Sequence, residues 1–358
     1  MSILTKYFCR EFLKILVICL LVLIFMYLMI DFFETVDNFI ESNVPKYLMF
    51  SYFIYKVPFI GVQMLPPACL IAVIIMFSVM GKNKEIIALK ISGLSIWKYT
   101  QPIIILSLFL TAGLFLFSEI VVPYTSSRSN EIWRVQVQKI NPGLYFGRNH
   151  IWYKGTNCIY WITHFDNEKE VMRKPTFYFF NSSFKVVKRV DGNVGTWKDG
   201  KWKIKDGIIL DAGDYGGYSL NKFKKIDLDI TETPESFVKE EKKPEEMSYW
   251  HLKRFADRVR QEGYDATKYY VDLNIKVSFP FIIIVMVLIG IPIALGRKKS
   301  GVAVAVTLGI ALCFLYLVVL GVSRSFGFSG LLPPLLSAWL ANGIFFLLGI
   351  YLMTNVDR

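Results

Sequence analysis

Chemistry needs reactive side chains at workable spacings, and this chain offers few. Its three histidines, His150, His164 and His251, are scattered, and its five cysteines, Cys9, Cys19, Cys69, Cys158 and Cys313, include no Cys-x-x-Cys pair. No His-Glu-x-x-His, no Gly-x-Ser-x-Gly and no Gly-x-x-x-x-Gly-Lys-Ser/Thr phosphate loop occurs, so the chain does not bind ATP in that last way. The stretch that joins charge to shape is Gly81-Lys82-Asn83-Lys84-Glu85-Ile86-Ile87-Ala88-Leu89-Lys90-Ile91-Ser92-Gly93-Leu94-Ser95. Here Asn83 is expected to cap a helix start, Glu85 falls in the first turn where the positive dipole end favours a carboxylate, and Ser92-Gly93 supplies the stop. Ile86, Ile87 and Leu89 form an apolar patch suited to a protein groove. Such a helix takes a push from a partner; by spacing alone the stretch is equally an ordinary basic loop between membrane spans.

The elements around it are membrane spans. With 54% hydrophobic residues in 358, the chain is too apolar for a soluble protein. A crossing takes about 20 residues. Runs of that order lie at Leu13 to Phe33, Val57 to Gly81, Tyr99 to Ser118, Val277 to Gly296, Gly301 to Ser323 and Leu335 to Leu352. In the first, the apolar stretch Ile15 to Ile30 follows Lys6, Arg10 and Lys14 and leaves through Asp31-Phe32-Phe33 without a small-x-small cleavage site, so it reads as a retained helix. The net charge of +12 comes without a basic tail or zinc-finger spacing, which argues against nucleic acid. Lys82, Lys84, Lys90 and Lys98 in one loop, and Arg297, Lys298 and Lys299 in another, place both termini and these loops in the cytoplasm. No span carries an ionisable residue near its centre, which disfavours proton- or sodium-driven transport. Pro58, Pro66-Pro67, Pro280, Pro292 and Pro333-Pro334 are expected to kink spans or mark close helix contacts.

The organisation expected is three spans, an outer domain and three spans: residues 1–122, a β-domain at 123–247, an amphipathic helix and connector at 248–276, and spans at 277–358. The outer domain is rich in aromatic and β-branched segments: Ile151-Trp152-Tyr153, Cys158 to Ile162, Thr176 to Phe180, Phe184 to Val190 and Trp202-Lys203-Ile204. Asp-Gly pairs at 191, 199 and 206 read as turns between them. The fold class is therefore membrane α-helical, six helices as 3+3, with an inserted periplasmic all-β domain of sandwich or jelly-roll type. After the linker, Ser248 caps a helix whose Leu252, Phe255, Ala256 and Val259 recur at helical spacing, and Gly263 ends it. That helix is expected at the outer membrane boundary.

Several blocks then stand in a telling order: Tyr7 to Leu13, Asp31-Phe32-Phe33-Glu34-Thr35-Val36-Asp37-Asn38-Phe39, Asn83 to Gly93 and Glu119-Ile120-Val121-Val122-Pro123. Ser248 to Arg254, Gly263-Tyr264-Asp265, Phe279-Pro280, Gly290-Ile291-Pro292 and Ser329-Gly330-Leu331-Leu332-Pro333-Pro334 follow. On these residues the chain resembles the LptF/LptG (YjgP/YjgQ) family of lipopolysaccharide-export permeases over nearly its whole length. The Asp-Phe-Phe-Glu block resembles LptG more than LptF.

The resemblance implies a non-catalytic subunit in the bacterial inner membrane, paired with a second permease (LptF if this is LptG) and with a dimer of the ATPase LptB, which holds the ATP and Mg. It further implies LptC at the membrane and a periplasmic jelly roll passing lipopolysaccharide to an LptA-type bridge; no cofactor and no nucleic acid are expected on this chain. Lys84 to Ile91 would be the coupling helix, with Glu85 as the acidic contact to the ATPase and Ile86, Leu89 and Lys90 beside it. Spans one and five would line the lipid cavity. An apolar path lowers the cost of exposing acyl chains, about 25 cal/mol per Å², and cations at the outer rim would pair with lipid phosphates. The end of span one is acidic (Asp31, Glu34, Asp37) where some members have lysines, so the rim candidates are Lys46, Lys56, Arg128, Arg134 and Arg324, with divalent ions able to bridge the acids. These cations equally mark a membrane interface. A membrane-anchored periplasmic enzyme or envelope sensor, and a lipoprotein-type ABC permease, are the alternatives.

Overall fold

The computed structural model describes residues 3–93, 95–139, 149–154, 158–166, 171–181, 185–198, 201–212, 218–228, 243–261, 265–296 and 302–355. The chain forms two compact units, Met1–Ile132 with Lys242–Arg358, and Trp133–Glu241.

In the first unit, α1 (Ile3–Glu41) and α2 (Lys46–Lys82) are followed by the short α3 (Glu85–Ile91) and by α4 (Ile96–Ile132). After the second unit come α5 (Tyr249–Gln261), α6 (Thr267–Ser278), which runs through a 3-10 turn at Phe279–Phe281 into α7 (Ile282–Gly296), then α8 (Val302–Phe328) and α9 (Pro334–Asn355). Six of these are long and apolar enough to cross a membrane: α1, α2, α4, α6 with α7, α8 and α9. The helices outrun the hydrophobic runs that announce them. Thus α4 continues past residue 122 to Ile132, and the second unit begins at Trp133 rather than at 123. Likewise α6 makes residues 267–276 part of the fourth span. Pro333-Pro334 starts α9 instead of kinking a span, since a first-turn proline has no amide to lose. Arg297, Lys298, Lys299 and Gly263 lie outside the described residues.

Two helices form the centre of this unit. From Ile282 to Ile293 every residue of α7 except Ile284 is buried, as befits a helix apolar on all sides. Together α2 and α7 feed two apolar clusters. One joins Phe8, Phe12 and Leu16 of α1 with Phe77 and Met80 of α2, Tyr99 and Ile103 of α4 and Val287 of α7. The other joins Leu70 and Ile74 with Met286, Ile289, Tyr316 of α8 and Phe345 of α9. Lipid tails are as apolar as these side chains, so close approach and polar ties decide which helices pair. A Cβ on Gly327 would meet Ser337 Oγ at 2.4 Å, which shows how closely α8 and α9 pack. In the 3-10 turn the Ile282 amide turns to Phe279 O, leaving Ser278 O without its usual donor. Asn342 Nδ2 donates to it at 2.8 Å, while Asn342 Oδ1 accepts from Tyr316 Oη at 2.9 Å, so one side chain ties three helices.

The second unit is the inserted all-β domain. Its described strands are β1 (Asn149–Lys154), β2 (Cys158–Asp166), β3 (Val171–Phe180), β4 (Val186–Lys198), β5 (Lys201–Ala212) and β6 (Tyr218–Leu228), paired antiparallel in chain order as one sheet. Cross-strand neighbours Tyr160–Phe177–Val190 and Phe165–Met172 lie on its apolar face, with Trp202, Ile204 and Leu228. Two of the three Asp-Gly pairs are not turns. Asp191-Gly192 lies within β4 and Asp206-Gly207 within β5, where Gly192 pairs with Gly207. A Cβ on Gly192 would fall 2.1 Å from Ile204 Cγ2, so the glycine makes room for a core side chain. Asp199-Gly200 stands between β4 and β5, outside the described residues.

Candidate functional site

The first unit has two ends with different chemistry. Chain direction puts α3, the start of α1 and the end of α9 at one end. The starts of α2 and α6, the ends of α4 and α8, and α5 stand at the other.

At the first end α3 is two turns long. Asn83 does not cap it: Asn83 closes α2, and Lys84 precedes α3 in the left-handed region at φ 61° with no side-chain cap. Ser92 and Gly93, the latter at φ +76°, supply the stop. The apolar patch is divided. Ile86, only 7% exposed, joins the membrane core and Leu89 packs against it. Residues three apart share a helix face, so this pair anchors α3 at about 2 kcal/mol for a buried aliphatic side chain. The face left outward carries Ile87, 54% exposed, and Ile91, 82% exposed, with Lys90 exposed between them. Glu85 sits half-buried at the first turn, its Oε2 accepting from Tyr7 Oη of α1 at 3.1 Å and its Oε1 from Asn83 Nδ2 at 3.4 Å. Glu85 is therefore tied to α1. Next to α3 in the chain, Ser95, Trp97, Lys98, Gln101 and Ile104 line an open recess of about 480 Å³.

At the opposite end the expected rim cations are mostly engaged. Lys56 Nζ lies 2.6 and 2.8 Å from the two oxygens of Asp31 and donates to Tyr52 Oη at 3.0 Å. This pair is largely buried between α1 and α2, beside the ring contacts of Phe39 with Tyr52 and Phe53. The acidic residue that would repel a phosphate thus holds the lysine that would attract one. Arg324 pairs with Asp272 at 2.7 Å and lies over the Phe328 ring, and Arg128 pairs with Glu131 at 2.9 Å over Tyr124. Lys46 is exposed at the start of α2, and Arg134 lies half-buried in the π turn Trp133–Val137 that opens the second unit.

Two carboxylates complete this end. Both oxygens of Glu119 accept from the Tyr249 amide at 2.7 Å, and Ser248 Oγ accepts from the His251 amide at 3.3 Å, so α5 has its first turn satisfied twice. Its Leu252, Ala256 and Val259 are buried, with Leu252 packed in a cluster that includes Leu273 of α6. Glu246, also buried, accepts from Asn130 Nδ2 at 2.7 Å. Just ahead of α6, hydrogen bonds from the Thr267 hydroxyl and then its amide hold the Asp265 carboxyl below the usual range.

The pairings of Tyr7 with Glu85 and of Asp31 with Lys56 join residues far apart in the chain, and no local pattern announces them. Glu119 is different, since it stands in a block already singled out. No curated protein matches the chain. A model of the family described as the lipopolysaccharide export system permease LptF/LptG matches residues 6–355, and with six candidate spans and an inserted antiparallel β-domain in place, the chain belongs to that family.

Proposed function

We propose that this chain is one of two permease subunits, in the LptG position, of an ATP-driven exporter that lifts lipopolysaccharide from the bacterial inner membrane. ATP and its Mg²⁺ are bound by a separate LptB dimer. The observation that carries the reading is the family match over residues 6–355 together with a short helix, α3, whose outward face is exposed. In this account α3 seats in a groove of the ATPase through Glu85, Ile87, Lys90 and Ile91, while Ile86 and Leu89 fix it to the chain's own core. Force on α3 reaches α1 through the Glu85–Tyr7 hydrogen bond and through the core that Ile86 shares with Phe8 and Phe12. The faces of α1 and α8 turned away from the core form the wall against which lipid is drawn, and only 11% of the most apolar stretch of α1 is buried, against 72% for α6 with α7. The β-unit, facing the periplasm with LptC nearby, takes the acyl chains and passes them to an LptA-type bridge.

The test is Glu85→Lys in the purified exporter. The account expects loss of lipopolysaccharide release with the chain still inserted and folded. Wild-type release, with normal recovery of the ATPase, would overturn the role of α3.

A further inference from the structure

Helix α5 carries two stripes. Leu252, Ala256 and Val259 face inward, and His251, Arg254, Phe255 and Arg258 recur at i, i+3, i+4 and i+7 along another side. With Ser248 these four line an open recess of about 430 Å³. Two guanidinium groups one turn apart repel each other, and such a pair weakens a helix unless an anion lies between them. Elsewhere at this end of the unit the anion is a carboxylate, as for Lys56, Arg128 and Arg324. Here it is not. Arg254 Nε donates to the Trp250 carbonyl of its own helix, and no carboxylate lies in ion-pair range of Arg254 or Arg258 among the described residues. The acid of α5, Asp257, is on a different side and accepts from Tyr270 Oη at 2.7 Å. Beside the stripe Trp250 is 64% exposed, and exposed tryptophan is common at lipid headgroups.

We propose that the recess of Ser248, His251, Arg254 and Arg258 binds the phosphate of an anionic lipid headgroup at the outer membrane surface. The two guanidinium groups grip the phosphate oxygens with charge-assisted hydrogen bonds, and the Ser248 hydroxyl and the His251 ring complete the lining. Phe255 in the lining and Trp250 alongside give the first carbons of the lipid an apolar seat. This site deepens the export reading and rests on it: it would hold the substrate headgroup at the outer end while the acyl chains enter the cavity.

The exporter, purified with all its subunits and placed in nanodiscs of zwitterionic lipid, would be titrated with lipid A carrying both phosphates and with dephosphorylated lipid A. The comparison is wild type against Arg254→Gln/Arg258→Gln; both residues are exposed, and Arg254→Lys/Arg258→Lys controls for folding. Loss of hydrogen bonds to a charged group predicts affinity about tenfold or more weaker for the phosphorylated lipid. The dephosphorylated lipid should bind both proteins alike, the lysine pair should restore much of the loss, and millimolar inorganic phosphate should not displace the lipid. Equal affinity of wild type and the glutamine pair for phosphorylated lipid A overturns the site while leaving export intact. Displacement by inorganic phosphate alone overturns the lipid assignment, and loss of a subunit with lipid binding unchanged assigns the surface to a protein. Failure of the wild type to bind either lipid overturns the export reading and this site with it.

Discussion

The two ends of the membrane unit use similar residues to opposite purposes. At the α3 end, one carboxylate, Glu85, is held by a neutral hydroxyl and an amide, and the isoleucines beside it stay in the open. At the α5 end, Asp31, Glu119 and Asp272 each hold a cation or a helix amide at 2.6 to 2.8 Å. The carboxylates at the α5 end fasten helices through cations and a helix amide, whereas Glu85 is held by neutral donors alone. An acidic residue in this protein is therefore judged by what it already holds.

Substitutions should separate the two ends by size of effect on stability. Asp31→Ala leaves Lys56 charged and unpaired in a mostly buried site, and should cost about 3 to 5 kcal/mol; thermal denaturation in detergent would show it as the largest loss. Glu119→Ala removes the acceptor of the Tyr249 amide and should cost about 1.5 to 3 kcal/mol, with α5 the first element to exchange its amide hydrogens. Arg324→Ala, at a half-exposed pair, should cost about 1 kcal/mol or less. Glu85→Lys gives up exposed hydrogen bonds to Tyr7 and Asn83 at a helix start and should cost about 1 kcal/mol or less while coupled ATP hydrolysis is lost. A reversal of that order, with Glu85→Lys the most destabilising, would erase the contrast between the ends.

Much of the architecture was legible because a membrane span needs a long apolar run, and six such runs stand out. Lengths were not legible: α4 continues beyond its hydrophobic run because its later turns are fastened by Asn130 to Glu246 and by Ser129 to Tyr52 O, contacts made far along the chain. The Asp-Gly pairs misled for a similar reason, since Gly192 exists to admit Ile204 rather than to reverse the chain. At the site, Glu85 was legible as a first-turn acid next to apolar residues. Which of Ile86, Ile87 and Leu89 faces outward depends on where the membrane core lies relative to two turns of helix, and the core claims Ile86 and Leu89. Lys56 reads in the sequence as a candidate rim cation, and its pairing with Asp31, 25 residues away at the end of another helix, is not legible there.

The most direct measurement is purification of the chain from its native membrane in mild detergent, with co-purifying proteins and lipids identified by mass spectrometry, for wild type and Glu85→Lys in parallel. The account predicts an ABC ATPase, a second six-span permease and lipopolysaccharide with the wild type, and a depleted ATPase with the variant. A wild-type chain recovered alone, or with a periplasmic partner and no ATPase, would contradict it.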